Sequence, residues 1–276
     1  MPTLTTGFSR GNQHLTNDQI MRNAPSVFAT QPWDRMSARY AFIPTIQVVE
    51  KMRTEGFVPV AATQSRTRIA DKQDFTKHMI RFRDIRHGET PAIRTLGEVY
   101  PELVLTNSHD GASAYKLDAG LFRLVCLNGM VVSDGTVSQI NVRHSGSVDG
   151  IINATYSIVE EFPKVLNSVE QFAQLRLNPG QRAAFATAAL ELRYDAGEAP
   201  ITPAQVIRSR RPADADTTLW NTFNAAQENL VTGGLRGRNT ETQRRLTTRP
   251  VAGISENSRL NKALWTLTEE MRKLLG

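Results

Sequence analysis

The chain has 276 residues, of which 40% are hydrophobic and 22% are charged, as in ordinary soluble globular proteins. Its one cysteine, Cys126, excludes an intrachain disulfide and favours a reducing cytoplasm as the compartment. No apolar run approaches the roughly 18 residues of a membrane-spanning helix, and the N-terminus does not have the basic start and apolar core of a signal peptide.

The net charge of +6 is concentrated toward the C-terminal end. From residue 201 onward, 12 Lys and Arg residues stand against 7 Asp and Glu residues, an excess of +5 that leaves residues 1–200 near +1. A basic region of this kind is typical of proteins that bind nucleic acid, although solubility alone would also explain a modest positive charge.

The first 38 residues are polar and are predicted to form an N-terminal extension (residues 1–38). Thr16 begins a short helix there, because a threonine before an acidic first turn is a common N-cap. Phe28 and Trp33 are expected to pack this segment onto the body of the protein.

A β-rich sheet domain is predicted over residues 39–147. Asp-Gly and Asn-Gly pairs mark tight turns within it, because these residues adopt the backbone angles that such turns require. The expected strands are 40–43, 57–68, 75–85, 102–107, 112–117, 121–126, 130–132 and 137–144, with one helix after Pro44 and turns at 108–111, 118–120 and 128–129.

Residues 57–85 are predicted to form a hairpin whose two faces differ, because side chains alternate across a strand. His78, Ile80 and Phe82 take one face of the second strand. The basic side chains of both strands would share the opposite face: Arg66, Arg68, Lys77, Arg81 and Arg83. The sequence leaves open whether this face binds nucleic acid or is an ordinary solvated sheet face.

From residue 148 the apolar residues are spaced by three and four, which predicts a helical region over residues 148–276. The expected helices are 148–172 with a kink at Pro163, then 182–193, 202–208, 214–230 and 257–275. Strands followed by helices predict an α+β fold, with an N-terminal antiparallel sheet and one or two helices, followed by an all-helical C-terminal half packed on it.

The stretch Leu219–Arg238 begins as an amphipathic helix and stops at Gly233 and Gly234, because glycine enters the left-handed cap without steric cost. A flexible basic arm is predicted over residues 233–250, with a single acid, Glu241, against five arginines. These are Arg236, Arg238, Arg244, Arg245 and Arg249. A second basic cluster, formed by Arg208, Arg210 and Arg211, precedes the helix. Arginine suits phosphate because its planar fork donates two parallel hydrogen bonds.

The same helix carries an unusual number of amide side chains, namely Asn221, Asn224, Gln227 and Asn229. Two interpretations are open for them. They contact base edges, or Gln227 and Asn224 are buried and hydrogen-bonded and hold the following arm; the second is preferred, because buried amides are normally satisfied.

His109 and Asp110 allow a metal interpretation in which a further residue, His78, His144 or Asp149, completes a site. At a hairpin turn, however, an Asp-Gly pair is more simply explained by the backbone angles that the turn requires.

Cys126 and His144 would allow a thiol–imidazole pair, but a cysteine within an apolar strand is commonly a small buried hydrophobe. No phosphate-binding glycine loop, zinc-spaced cysteine set or nucleophile elbow occurs. No catalytic residue, metal or cofactor is therefore predicted.

Several segments together carry a family resemblance that covers nearly the whole chain from about residue 20. They are Asn23-Ala-Pro25, Tyr40-x-x-Ile-Pro44, Asn107-Ser-His-Asp-Gly111, Gly120-Leu-Phe-Arg-Leu-Val-Cys-x-Asn-Gly129, Arg143-His144, Leu219-Trp-x-x-x-Asn-x-x-Gln-Glu-Asn-Leu230 with Gly233-Gly234, and Asn261-x-x-Leu-Trp265. The chain resembles the phage/plasmid-like protein family built on an uncharacterised domain (domain of unknown function 932). The resemblance implies an accessory protein of a mobile element and supplies no catalytic residues.

Three functions follow as hypotheses. The first is a non-enzymatic nucleic-acid-binding protein that contacts mainly single-stranded DNA through phosphates and promotes annealing or recombination, with a homo-oligomer as the acting form. The second is a protein-interaction factor, such as an inhibitor of a host defence complex. The third is a metal-dependent nuclease that uses His109 and Asp110.

Overall fold

The computed structural model describes residues 7–8, 14–37, 40–86, 96, 99–123, 128–132, 140–142 and 147–276. In chain order the strands are β1 (Gly7–Phe8), β2 (Phe57–Gln64), β3 (His78–Asp84), β4 (Val99–Asn107), β5 (Tyr115–Arg123), β6 (Asn128–Val132), β7 (Ile140–Val142), β8 (Arg236–Arg238) and β9 (Arg245–Thr247). The helices are α1 (Asn17–Asn23), α2 (Thr45–Thr54), α3 (Val148–Val159), α4 (Phe162–Gln174), α5 (Pro179–Glu191), α6 (Pro203–Val206), α7 (Leu219–Thr232) and α8 (Ile254–Leu275). Short 3-10 turns lie at Pro25–Phe28, Ala70–Phe75 and Pro212–Asp214.

The chain divides into two compact units. The first comprises Met1–Ala92, Tyr100–Phe122 and Val137–Phe162, and the second comprises Ile93–Val99, Arg123–Thr136 and Pro163–Gly276. Antiparallel strands dominate the first half of the sequence and helices the second, which confirms the predicted α+β class. None of the helices in the described ranges is both long enough and apolar enough to cross a membrane.

The sheet of the first unit is antiparallel. β2 pairs with β1 and β3, β3 with β4, and β5 with β7. Its buried side chains include Ile80, Phe82, Leu103, Leu105 and Leu117. Val104, which points to the opposite face of β4 from Leu103 and Leu105, is buried as well, so that both faces of this strand are covered.

Three predicted features of the first half were wrong. Tyr40–Ile43 is not a strand, and the carbonyl of Ile43 accepts a hydrogen bond from the Tyr115 hydroxyl (2.7 Å). The predicted turn at residues 118–120 lies inside β5, where Asp118 and Ala119 are buried. The predicted turn at residues 128–129 lies in β6.

The predicted hairpin exists, but its strands are shorter than expected. β2 ends at Gln64 and β3 begins at His78, so that a loop of residues 65–77 joins them. The Gln64 amide donates to the carbonyl of Gln73 (2.6 Å) and to the Thr76 hydroxyl (2.9 Å). These side-chain bonds stabilise the loop in place of further strand pairing.

The long helix predicted from residue 148 is two helices in the structure. α3 ends at Val159, and α4 begins at Phe162 with Pro163 in its first turn, where a proline costs no backbone hydrogen bond. α5 begins earlier than expected, because Asn178 and Gln181 form a reciprocal capping box before and after Pro179. Thr16 and Thr202 begin α1 and α6 as predicted.

The N-terminal segment is anchored by aliphatic side chains of α1 and of the turn that follows it. Ile20, Ala24 and Val27 have 0% exposure. Phe28 and Trp33 are partly buried, so that the anchoring role of these two aromatic residues stays a prediction.

A buried polar cluster lies at the start of α2. The hydroxyl oxygen of Thr45 is within hydrogen-bonding distance of four side chains: His78 Nε2 (2.9 Å), His109 Nε2 (3.0 Å), Asn107 Nδ2 (3.0 Å) and the Tyr115 hydroxyl (3.2 Å). Because one hydroxyl supplies one proton and two lone pairs, these neighbours must divide donor and acceptor roles among them. The cluster ties α2 to β3, β4 and β5.

The protonation state of His78 follows from its partners. Its Nδ1 atom lies 2.8 Å from the Ser26 hydroxyl and 3.3 Å from the carbonyl of Thr76, which only accepts, so we assign the proton to Nδ1. Nε2 is then free to accept from Thr45. Burial lowers the pKa of His78 to about 4, which keeps the ring neutral in the folded protein.

Stability is expected to fall as the pH decreases from 6.5 to 4. The pKa of His78 is about 4 in the folded chain against 6.5 for the free side chain, so the unfolded chain binds more protons in this range. The loss from this residue should reach about 3 kcal/mol. Urea unfolding of the wild type and of His78→Gln at several pH values measures it. The stability difference between them should shrink toward pH 4.

The exposed residue His14 gives the matched control for the loss of a histidine. In His14→Gln, the fall in stability that His78 causes toward pH 4 should remain. A difference between wild type and His78→Gln that stays constant from pH 7 to pH 4 would contradict the assignment of a neutral, buried His78.

Candidate nucleic-acid interface

The predicted flexible arm is an ordered two-stranded hairpin in the second unit. β8 and β9 pair antiparallel, with Arg236 opposite Thr247, Gly237 opposite Leu246 and Arg238 opposite Arg245. Its tip is closed by Asn239, whose side-chain oxygen accepts hydrogen bonds from the backbone N–H groups of residues 241 and 242. The expectation of a structureless arm was therefore wrong.

Gly237 lets the hairpin lie directly on the backbone of Pro200. A Cβ atom at this position would lie 2.0 Å from the carbonyl oxygen of Pro200, closer than any real contact. The same carbonyl accepts a hydrogen bond from the N–H of Arg238 (2.9 Å), and the Gln205 amide donates to the carbonyl of Arg236 (2.9 Å). Only glycine permits this approach.

The base of the hairpin is fixed by Gly233 and the residues around it. Gly233 ends α7 with φ +67°, and an added Cβ there would lie 2.6 Å from the backbone of Arg249. Gly234 donates to the carbonyl of Thr248 (2.8 Å), and Thr248 donates to that of Leu235 (2.9 Å). The predicted glycine stop is thus confirmed, and it also closes the two ends of the hairpin on each other.

One face of the hairpin is basic and exposed. Cross-strand partners share a face, so Arg236, Arg238, Arg245 and Thr247 point the same way, and all four are exposed. The three arginines also line a surface groove of about 680 Å³, whose other walls include Pro200 and Thr202. We call these three side chains the arginine face.

The arginine face has no acidic partner within the ranges that the structure describes. Arg238 Nη1 donates to the carbonyl of Gln243 (3.1 Å), but no carboxylate lies within 4.0 Å of Arg236, Arg238 or Arg245. Arg244 and Arg249 are exposed beside them. Because like charges directly opposite each other on a sheet are unfavourable, the pair Arg238 and Arg245 is placed to accept an anion.

In the cluster of Arg208, Arg210 and Arg211, two side chains are hydrogen-bonded to other parts of the second unit. Arg208 is exposed. Arg210 Nε donates to Asn229 Oδ1 (2.5 Å), and its terminal nitrogen donates to the carbonyl of Gly233. Arg211 holds Glu228 with two hydrogen bonds of 3.0 and 2.5 Å. Two of the three arginines therefore stabilise the second unit.

The basic sheet face predicted on the first hairpin does not form. Arg81 and Arg83 do share a face of β3, but they are 6% and 8% exposed and both lie against Glu102, at 3.4 and 2.9 Å. Arg83 also stacks on the ring of Tyr100 at 4.0 Å. These two guanidinium groups are core groups of the first unit.

The other three residues of that predicted face lie beyond the paired strands, in the loop of residues 65–77. Arg66 and Arg68 are exposed, and Lys77 is partly buried. Burial lowers the pKa of Lys77, and the charge of Lys116 lowers it further. The loop thus separates these cations from Arg81 and Arg83.

His109 and Asp110 are both engaged with protein groups. His109 joins the Thr45 cluster, and Asp110 accepts from the N–H of Ala112 (2.9 Å) and pairs with Lys72 (3.0 Å). Burial alone would raise the pKa of Asp110, but these hydrogen bonds and the Lys72 charge lower it. Within the described ranges no group of three His, Cys, Asp or Glu residues is arranged to hold a metal ion. Cys126 and His144 lie outside the described residues.

The amide side chains of α7 follow the preferred interpretation, with one difference. Asn224 and Gln227 are buried and donate to the carbonyl of Trp220 (2.7 Å) and to Asn261 (2.9 Å). Neither of these two bonds reaches the hairpin. Asn229 takes that role, since it donates to the carbonyls of Val206 and Arg208 (both 2.8 Å) and accepts from Arg210.

Sequence reasoning missed the residues that position the arginine face. Pro200 and Gln205 bind the hairpin backbone, and nothing in their own sequence context indicates it. Gly237 did carry a signal, because a glycine between two arginines of a strand often marks a close approach of another backbone.

Gly237→Ala should detach the hairpin from Pro200. The added methyl group has no space against the Pro200 carbonyl, and overpacking of this kind costs about 1–3 kcal/mol. Hydrogen exchange at the amide of Arg238 should quicken, because that N–H donates to Pro200. Gly253→Ala is the matched control, since its nearest contact would be 3.9 Å, and it should change stability by less than about 0.5 kcal/mol. Equal effects of the two variants would contradict the role of Gly237.

Two curated proteins of Escherichia coli (strain K12) are similar to this chain along nearly its whole length. UPF0380 protein YafZ is 38% identical over 263 residues, which cover 95% of this chain and 93% of that protein. UPF0380 protein YfjQ is 37% identical over 263 residues, with the same coverage of each chain. No solved structure matches. The family model described as Domain of unknown function (DUF932) matches residues 32–265, so this chain belongs to the DUF932 family.

Proposed function

We propose that this protein binds nucleic acid, and single-stranded DNA in particular, through phosphate contacts of the arginine face. The observation that carries the proposal is the placement of Arg236, Arg238 and Arg245 on one exposed face without a carboxylate partner in the described ranges. Each guanidinium can donate two parallel hydrogen bonds to a phosphate.

The hairpin gives these arginines fixed positions. Because β8 is bonded to Pro200 and Gln205, the three side chains extend from a backbone that is already ordered, and binding need not order it. Arg208, Arg244 and Arg249 are exposed in the same unit and add to its positive charge. A phosphate backbone that contacts the arginine face would relieve the repulsion between Arg238 and Arg245.

A single strand fits this proposal better than a duplex. A basic groove that tracks one sugar–phosphate backbone is the usual arrangement in proteins that bind single strands without sequence preference. The groove beside the arginine face is lined by its three arginines together with the polar side chains of Thr202, Gln205 and Thr247. Arginine and threonine side chains both donate to phosphate and sugar oxygens, which carry no sequence information. We extend the proposal to annealing or recombination of the DNA of a phage or plasmid, with an oligomer as the acting form.

Replacing the arginine face should weaken binding and reduce its salt dependence. In the triple variant Arg236→Ala, Arg238→Ala, Arg245→Ala, we expect affinity for a labelled single-stranded oligonucleotide to fall by about tenfold or more at low salt. The slope of log K against log salt should decrease in magnitude by about 2, because up to three phosphates lose their partner. Fluorescence anisotropy across a salt series measures both quantities.

The matched control removes three exposed positive charges elsewhere, by changing Arg22, Lys51 and Lys164 to alanine. This variant has the same net charge as the first and should keep most of the affinity. Equal losses in both variants would mean that net charge, and not the arginine face, attracts the nucleic acid. No binding by the wild type at low salt would overturn the proposal.

The same arginines would serve the alternative function, docking on an acidic surface of a host protein. Capture from a host lysate treated with nuclease separates the two, with the triple variant as the comparison. A protein that is retained after nuclease treatment by the wild type and lost by the triple variant, together with no affinity for oligonucleotides, would establish the alternative.

A further inference from the structure

Trp33 is the one tryptophan of this chain that is partly exposed. Trp220 and Trp265, the other two, are 0% and 1% exposed and pack against Phe223 in the second unit. Trp33 belongs to the first unit and lies in the segment before α2. Part of the Trp33 indole ring is therefore accessible to a ligand, and an indole face can stack on another flat ring.

The backbone around Trp33 is held in place by two loops. The N–H of Trp33 donates to the carbonyl of His109 (3.0 Å), and the N–H of His109 donates to the carbonyl of Phe75 (2.9 Å). Phe75 belongs to the loop of residues 65–77, which also carries the exposed Arg66 and Arg68. The indole ring is therefore presented from a fixed backbone and next to a basic loop.

Two cations lie over the indole ring, and they are held very differently. The Lys72 ammonium is 5.0 Å from the ring centroid and is also paired with Asp110, whose side chain is 4% exposed. The Arg35 guanidinium is 4.9 Å from the centroid, but its side chain is 69% exposed, and its contact with the exposed Asp71 is long, at 4.0 Å. An exposed pair of this kind contributes little, so Arg35 can leave the ring easily.

We propose that Trp33 is a stacking site for an unpaired nucleobase, with Arg35 as the group that gives way and contacts the adjacent phosphate. This inference rests on the proposed nucleic-acid binding and specifies how single strands are preferred. A guanidinium on an indole face occupies the position that a planar base would take, and bases stack on aromatic side chains whatever their identity. In a duplex both faces of each base are already covered by its neighbours, so that the site selects unpaired bases.

Tryptophan emission tests the site directly, because stacking on a base quenches it. An oligothymidylate should quench a component of the emission that is absent from Trp33→Phe, and it should protect that component from acrylamide. A blunt duplex of the same length should do neither. Trp220 and Trp265 contribute a background emission, and the Trp33→Phe variant shows this background alone.

Affinity provides the second measurement. Trp33→Ala should lose about 5- to 150-fold in affinity for the oligothymidylate, the range that corresponds to one stacked base, and Trp33→Phe should recover part of the loss. An abasic strand, which keeps the sugar–phosphate backbone, should bind wild type and Trp33→Ala equally. Ile69→Ala, which removes an exposed apolar side chain from the same basic loop, is the matched control and should bind as the wild type does.

The outcomes separate this inference from the proposed function. In one outcome, the oligothymidylate binds and its binding requires the arginine face, but it does not change Trp33 emission, and Trp33→Ala binds it as tightly as the wild type does. The stacking site is then wrong, and the proposed phosphate binding stands. If no oligonucleotide binds, both are wrong. If Trp33→Ala loses affinity for the abasic strand as well, Trp33 has a structural role and the stacking site is again wrong.

Discussion

The hydrogen bonds of Asn229 are the interaction on which the candidate interface depends. This buried amide satisfies carbonyls of Val206 and Arg208 and accepts from Arg210, which in turn donates to Gly233. One side chain thus joins the end of α6, the basic segment that follows it and the root of the hairpin. A buried amide left without these partners would be costly, so the arrangement has few alternatives.

The first unit also contains a buried network of polar side chains, which surrounds Thr45. There a single hydroxyl is surrounded by two histidines, an asparagine and a tyrosine, all of them buried. These hydrogen bonds restrict how α2 packs on β3, β4 and β5, although Asn107 Oδ1 has no hydrogen-bond partner within the described ranges. Each unit therefore contains a buried polar cluster beside its apolar core.

The fold class and most helices could be predicted from the sequence, because apolar spacing and capping residues are local signals. What could not be predicted depends on partners far along the chain. Arg81 and Arg83 alternate with Ile80 and Phe82 as expected, but their burial depends on Glu102, and no local pattern identifies that pairing. For the same reason the composition around Gly237 indicates a loop, while the carbonyl of Pro200 makes it a docked strand. Counting arginines overestimates the charge that a ligand can reach.

The docking of Gly237 divides the hairpin into two parts with different freedom to change. Its base is fixed by backbone contacts with Pro200, Gln205 and Thr248, whereas its tip, residues 239–244, is stabilised mainly by bonds within itself. Side-chain exchanges at the tip can therefore alter its charge while the backbone of β8 stays bonded to Pro200 and Gln205. A change in the length of the tip would act on Arg238, which donates to the carbonyl of Gln243. Ligand preference can thus diverge through changes in the tip of the hairpin, while the helices of the second unit keep their packing.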